Sequence, residues 1–385
     1  MNELTPEHIQ ALSAAVVAAP SADNRHVVRM EATAGTLRLL ATPDFLNAPS
    51  SRRMLGLLSV GAVTENLILR ARRLGLQLEP RWHAFGVAGP VLADFTCHRV
   101  PAVENPLEGA IDLRHTNRRL RFGGPKLTPM AQAQLSAECA DLSGTHLLFL
   151  DEPELRRGAL RLVRWAETER FRNQELHREM FDSIRFDVGW HRAATEGLSP
   201  GSLELPVLER PAFSLLRHWK VQRALNLAGA HHFIGFRAAD LPCRLAAHLC
   251  AISAEGDLEA AAVRAGRLLQ RVWLRATLMD LSFQVFAASA IYALDGSAAI
   301  STGLRHRLAS GWKDIGIPGK PFIVFRLGRA KPASLRAGRP LAQSLLIPPP
   351  KLPTSNYAAT AARSRVDHAC RLNLHSEHLQ GRPLR

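Results

Sequence analysis

Three short stretches carry residue types able to hold an anion or a polar heterocycle. The first is Ala19-Pro20-Ser21-Ala22-Asp23-Asn24-Arg25-His26-Val27-Val28-Arg29-Met30, where the chain leaves a helix, crosses a polar loop and enters a strand. Ser21, Asn24 and His26 set a hydroxyl, an amide and an imidazole beside free backbone N–H groups. That mixture of donors and acceptors is what the edge of a planar heterocycle needs; without a ligand, the same stretch is simply a turn. The second is Arg114-His115-Thr116-Asn117-Arg118. Two guanidiniums four positions apart, with the Thr116 hydroxyl between them, can fork onto one phosphate; the plainer alternative is the exposed start of a helix. In the third, the strand-like run Pro321–Arg329 delivers Arg326, and the loop Arg336-Ala337-Gly338-Arg339-Pro340-Leu341 delivers Arg336 and Arg339. Taken singly, none of the three identifies a ligand.

Other chemistries find no pattern. The chain has no G-x-G-x-x-G, no Walker A and no H-E-x-x-H. His231, His232, Cys243 and Cys250 match no zinc spacing, so no metal is expected. The five cysteines are odd in number and form no C-x-x-C, which reads as reduced, buried thiols in a cytoplasmic protein.

The elements that must position these stretches follow from periodicity. Thr5-Pro6 opens a helix over 4–19, with Ile9, Leu12 and Val16 at helical spacing, and Pro20 ends it. His26–Met30 and Thr36–Ala41 read as paired strands. Residues 50–75 form a long helix capped by Ser50 or Ser51; Gly56 and Gly61 inside it each cost about 1 kcal/mol relative to Ala, for which close approach of a neighbouring helix or a ligand ring is the expected return. Leu76–Pro80, Trp82–Val87 and Val91–Val100 read as strands. Further on come a helix over Leu127–Ala140 capped at Thr128, a strand at His146–Leu150, helix through Glu152–Phe186, a loop or lid-like excursion over 196–211, and helix at Phe213–Leu227. His231–Gly235 and Leu249–Ser253 read as strands, Asp257–Ser289 as helix continued at Ile300–Leu308, and Phe322–Leu327 as a buried strand. From residue 347 the chain turns Pro-rich and then polar and basic, as a mobile tail would. The long helix at 50–75 has a look-alike at 258–281, which suggests two similar units in one chain.

Composition narrows the class. With 385 residues, 46% hydrophobic and 22% charged, the chain has room for two domains and is not disordered throughout. No stretch reaches the roughly 18 uninterrupted apolar residues of a membrane span, so no membrane is expected, and the opening MNELTPEHIQ lacks the basic start of a secretory signal. The net charge of +15 raises nucleic acid as a partner. Against that, only six of the 49 basic residues are lysine, the arginines are scattered, and aromatics are 6%, a poor supply for base stacking.

In combination the three stretches resemble the nitroreductase-like flavoprotein superfamily, and within it the fused, two-unit Acg-type branch. The first loop is similar to A-P-S-x-x-N-x-Q-P-W-R-F at Ala19, Pro20, Ser21, Asn24 and Arg29, with His26-Val27-Val28 in place of Q-P-W. Ser59-Val60-Gly61-Ala62 through Asn66 to Leu74-Gly75-Leu76 resembles the family's long helix. R-x-T/S-N/D-R-R is matched by Arg114, Thr116, Asn117, Arg118 and Arg119. Ala276 to Leu281 resembles A-x-x-x-G-L with Asp280 for the glycine. Pro321, Arg326 and Gly328 match the closing strand, and Arg339-Pro340-Leu341 the final motif.

The resemblance covers roughly residues 5–345. It implies an α+β fold with a mostly antiparallel sheet wrapped by helices, organised as a pseudo-dimer: one unit over 1–110, a second over 111–346 with the lid-like insertion, and the tail 347–385. It implies FMN between the units, with Arg114, Thr116 and Arg118, Arg339 and Arg336 on the phosphate, and Ser21 and Asn24 at the ring or ribityl, where His26 could stand in for the missing Gln. Arg326 comes with the closing strand. The implied activity is hydride transfer from NADH or NADPH through the flavin to a small-molecule acceptor, with no side-chain acid or base required, in a monomeric pseudo-dimer or a homodimer. A catalytically poor flavin-holding protein of the same fold is the alternative, and a basic nucleic-acid-associated protein the third reading.

Overall fold

The Thr5-Pro6 signal starts a helix, Pro6–Ala18, in which the Thr5 hydroxyl accepts the His8 N–H. This is a computed structural model, and it describes residues 4–33, 35–294 and 299–347. The tail expected from 347 onward falls outside these, apart from Ile347 itself. Residues up to Ile347 form one compact unit.

The architecture is α+β. Alternating burial along β1 (Val28–Ala32) and β2 (Thr36–Ala41) turns Val28, Met30, Leu37 and Leu39 inward, and the two strands pair antiparallel. With β3 (Leu76–Trp82) and β4 (Val91–Arg99) they form a sheet in the order β3-β4-β2-β1-β9, whose last member, β9 (Leu346–Ile347), lies parallel to β1. A second sheet, wholly antiparallel, runs β5-β6-β8-β7 and comprises β5 (Thr145–Phe149), β6 (His248–Ala254), β7 (Ser282–Phe286) and β8 (Lys320–Gly328). The central strands β6 and β8 are buried almost throughout, which is why they read as continuous apolar runs.

Two long helices, Ser50–Arg73 and Leu258–Leu278, cross at close range. A Cβ on Gly61 would collide with the Val263 carbonyl, and one on Gly266 with the Leu58 carbonyl, so each glycine admits the other helix's backbone. Gly56 instead makes room for the Phe45 ring. Glu65, buried at the crossing, accepts from Arg267 at 2.8 Å and Arg271 at 2.7 Å; Asn66 bonds Gln270 at 2.7 Å and the Ala15 carbonyl at 2.9 Å. Among the described residues Ser50–Arg73 is the one helix long and apolar enough to cross a membrane, and it is mostly buried inside the protein, as a core helix is.

Several local expectations are corrected. Pro49, not Ser50 or Ser51, precedes the long helix, and no side chain caps it. β3 ends at Trp82, and residues 83–90 form turns around Gly86 and Gly89, both at positive φ. His231–Gly235 belongs to helix Ala230–Gly235, which continues through Arg244; a short apolar run does not distinguish helix from strand. Residues 282–286 are strand, because Asp280 turns left-handed (φ 55°) and ends the helix, after which the chain pairs with β8.

Candidate functional site

The loop after the first helix makes a single 3-10 turn, Ala22–Asn24, with Asp23 and Asn24 both left-handed at φ 55°. Asp and Asn tolerate that conformation better than other non-glycine residues, so an Asp-Asn pair suits the bend. Residues 114–119 run without helix or strand; buried Asn117 anchors them, donating to the Lys331 carbonyl at 2.8 Å and to Ser282 Oγ at 3.1 Å. The loop after β8 brings in Arg336 and Arg339.

These three segments border one cavity of about 870 Å³. Ser21, Asn24, Arg114, Thr116, Arg118, Arg336 and Arg339 all line it. Ser59, Ala62, Leu269 and Trp273 contribute the crossing helices' faces. Leu198, Leu203, Leu205 and Leu208, from the segment expected as a lid, line it as well, together with Phe213 and Phe233 beyond them. The volume lies in the range of small-molecule and cofactor pockets, ~300–1,000 Å³.

The basic residues of the wall fall into two groups. Arg52 is paired, to Asp23 at 2.5 Å and Glu179 at 3.3 Å, and Arg170 pairs with Glu167 at 3.2 Å. Both have raised pKa values: the carboxylates outweigh desolvation. Arg114, Arg118 and Arg339 form no ion pair with any carboxylate among the described residues. Arg114 is buried, stacks over Trp273 at 4.5 Å and donates one bond, to the Ala18 carbonyl at 3.0 Å, while its Nε has no partner. Burial, then the nearby Arg339 charge, holds its pKa well below the usual arginine value. Burial lowers Arg339 too; its hydrogen bond goes to Asn24 Oδ1. Arg118 is likewise lowered by burial, with Asp23 and Glu204 opposing, and donates to the Ser202 carbonyl at 3.2 Å. Ser21 Oγ is buried with no partner.

The structure therefore groups the sequence candidates differently from the i, i+4 fork. Arg114 lies near Arg339, whereas Arg118 feels Asp23 and Glu204. Asn24 is engaged by the protein itself. Its amide donates to the Gly197 carbonyl at 3.1 Å and the Thr195 carbonyl at 3.3 Å, and its oxygen accepts from Arg339, so it orients Arg339 and the base of the covering segment instead of meeting a ligand. His26 does not line the cavity; it sits near Arg339 with Nε2 buried and unpartnered, and burial pushes its pKa down to about 4. Arg336 is at the wall but exposed. Arg326 is also outside the wall, and all five of its N–H donors are occupied: by Gln284 at 2.9 and 2.6 Å, Leu120 and Pro242 carbonyls at 2.7 and 2.8 Å, and the Arg119 carbonyl at 2.5 Å. It cannot grip a phosphate. It is a strut that fixes Gln284, Leu120 and Pro242, which do line the cavity.

Sequence reasoning missed the Asp23–Arg52–Glu179 chain and Trp273. The spacing of Ser51-Arg52 to the polar loop gave no sign of the first. Trp273 lies inside the Asp257–Ser289 run, where nothing in the sequence sets it apart from its neighbours.

No family model matches the sequence, and no curated protein matches it. Solved structures give loose superpositions. A nitroreductase with bound FMN from Bacteroides fragilis is 10% identical, covering 62% of this chain and 95% of its own, with a TM-score of 0.35. The NADPH:FMN oxidoreductase from Vibrio harveyi complexed with NAD+ is 9% identical, over 69% and 86%, at 0.33. The FMN-dependent nitroreductase NfnB from Mycobacterium smegmatis in complex with NADPH is 15% identical, over 61% and 94%, at 0.33.

Proposed function

We propose that the chain is an FMN-binding, nitroreductase-like oxidoreductase of the fused type, taking hydride from NADH or NADPH and passing it to a small-molecule acceptor. One observation carries the reading: two neighbouring guanidiniums, Arg114 and Arg339, are held in a cavity wall without a carboxylate. A buried cation lacking a partner is costly, and a bound dianion such as a phosphomonoester relieves the cost at both residues at once. The orphaned Ser21 hydroxyl and Arg114 Nε supply unspent donors in the same wall.

FMN supplies the hydride chemistry when bound. The chain's own residues bind and orient. Arg114, held flat by Trp273, and Arg339, held by Asn24, meet the phosphoryl oxygens; Arg118 and Thr116 extend the polar wall. Ser21 donates to a ligand acceptor. Leu203 and Leu205 would cover the other side of the cavity and limit water there. Within this reading the units 1–110 and 111–346 meet at the helix crossing. That covering segment also favours the second reading, a flavin-holding protein that turns over poorly.

The test is the absorption spectrum of the purified chain, with added FMN, before and after anaerobic NADPH. The wild type should take up FMN, and Arg114→Gln with Arg339→Gln should weaken binding roughly 10²-fold or more, since each charge-assisted hydrogen bond contributes about 1.5–3 kcal/mol. Equal FMN affinity in the double variant defeats the assignment. Bleaching by NADPH selects the oxidoreductase over the holding protein.

A further inference from the structure

Thirteen large apolar side chains stand exposed among the described residues, and six of them fall in one stretch: Val207, Leu208, Leu215, Leu225, Leu227 and Phe233. Leu208 is 93% exposed, Leu227 90% and Phe233 71%. Scattered exposed leucines are ordinary, but these six lie on or just beside elements that pack against one another, as the side chains of a docking surface do. Leu208 and Phe233 also line the cavity, so the apolar surface forms part of its rim.

The charge of the stretch says what it docks against. Residues 207–233 contain Arg210, Arg217, Lys220 and Arg223 and one acid, Glu209. That acid is already committed to Arg237 just beyond the stretch, at 3.0 Å. Lys220 and Arg223 are exposed and form no ion pair among the described residues. On the helix Trp219–Asn226 they stand three positions apart, and Leu227 follows four later, which sets two cations and an exposed leucine along one face. Trp219, Arg223 and Leu227 border a shallow groove there. A polyanion such as nucleic acid would use the cations and leave the apolar side chains in water. A bilayer with anionic headgroups uses both, with leucine and phenylalanine entering the acyl boundary and the cations staying among the headgroups.

We propose that the 207–233 surface docks on an anionic lipid bilayer and sets the rim of the cavity at the headgroup level. Docking of this kind buries only one surface and needs no spanning helix. The inference does not depend on the flavin reading.

The experiment is sedimentation of the full chain with vesicles of phosphatidylcholine alone or with added phosphatidylglycerol. Wild type should pellet with the anionic vesicles, far less with the neutral ones, and should be released by salt. Two variants test the surface: Leu208→Ser with Leu227→Ser and Phe233→Ser, and Arg217→Glu with Lys220→Glu and Arg223→Glu. Each should keep the wild-type circular dichroism spectrum and lower the partition coefficient about tenfold or more. The proposal is overturned if the wild type fails to pellet, if it pellets equally with neutral vesicles, or if either variant pellets like the wild type, which would place the contact elsewhere in the chain.

Discussion

The helix crossing and the Arg114–Arg339 corner are both rich in arginine, yet they treat its charge in opposite ways. Along the Leu258–Leu278 helix three arginines have acids: Glu65 takes Arg267 and Arg271, Asp141 takes Arg271 as well, and Glu138 takes Arg275 at 2.7 Å. At the corner burial lowers the pKa of both Arg114 and Arg339, Arg339 lowers Arg114 further, and the two bond to a carbonyl and an amide. The first arrangement is complete without a ligand. The second has no acid, and in the proposed reading an anion completes it; that difference would separate arginine used to hold the fold from arginine kept for binding.

The difference can be broken at its stronger side first. Gly266→Val drives a side chain into the Leu58 carbonyl across the crossing; overpacking against backbone should cost about 3 kcal/mol or more, read as a lower midpoint in urea. Glu65→Gln leaves Arg267 with no carboxylate and should cost about 3 kcal/mol, because it breaks a buried pair. Arg339→Gln, by contrast, should leave ligand-free stability within about 1 kcal/mol of wild type, while FMN affinity falls. A large loss of stability there would mean that Arg339 is structural after all.

The smallest effect is a pH dependence behind the corner. His26 has its pKa lowered to about 4 from 6.5, by burial and then by Arg339. The unfolded chain therefore binds the extra proton more readily, so stability is full above pH 6.5 and declines as pH falls towards 4. Subtracting the urea midpoints of His26→Gln from those of wild type across that window should isolate the decline. A flat difference would show that His26 is solvated.

Much of this was legible in the residues. Helical caps and strand alternation placed most elements, because Thr5-Pro6, Thr128-Pro129 and the Val28–Met30 alternation act locally. The convergence of the 19–24, 114–118 and 336–339 segments came from motif order rather than from any local rule. What stayed hidden was nonlocal. Arg326 and Arg114 look alike in the sequence, and only the five donated bonds of one and the missing acids around the other tell a strut from a proposed binding group. Asn24 reads as a free amide until the 194–197 backbone arrives, 170 positions later, to occupy it. The strand at 282–286 was masked by an apolar spacing that continues the preceding helix past its stop at Asp280.

The short parallel pairing of β9 with β1 has a consequence for biosynthesis. Arg339 and Asn24 are 315 positions apart, and the strand that anchors the Arg339 segment beside the N-terminal sheet ends at Ile347. A ribosome must therefore release the chain through Arg339 before the Arg114–Arg339 corner exists. Nascent chains that stop short of Arg339 would carry β1 to β4 without β9 and without a finished pocket.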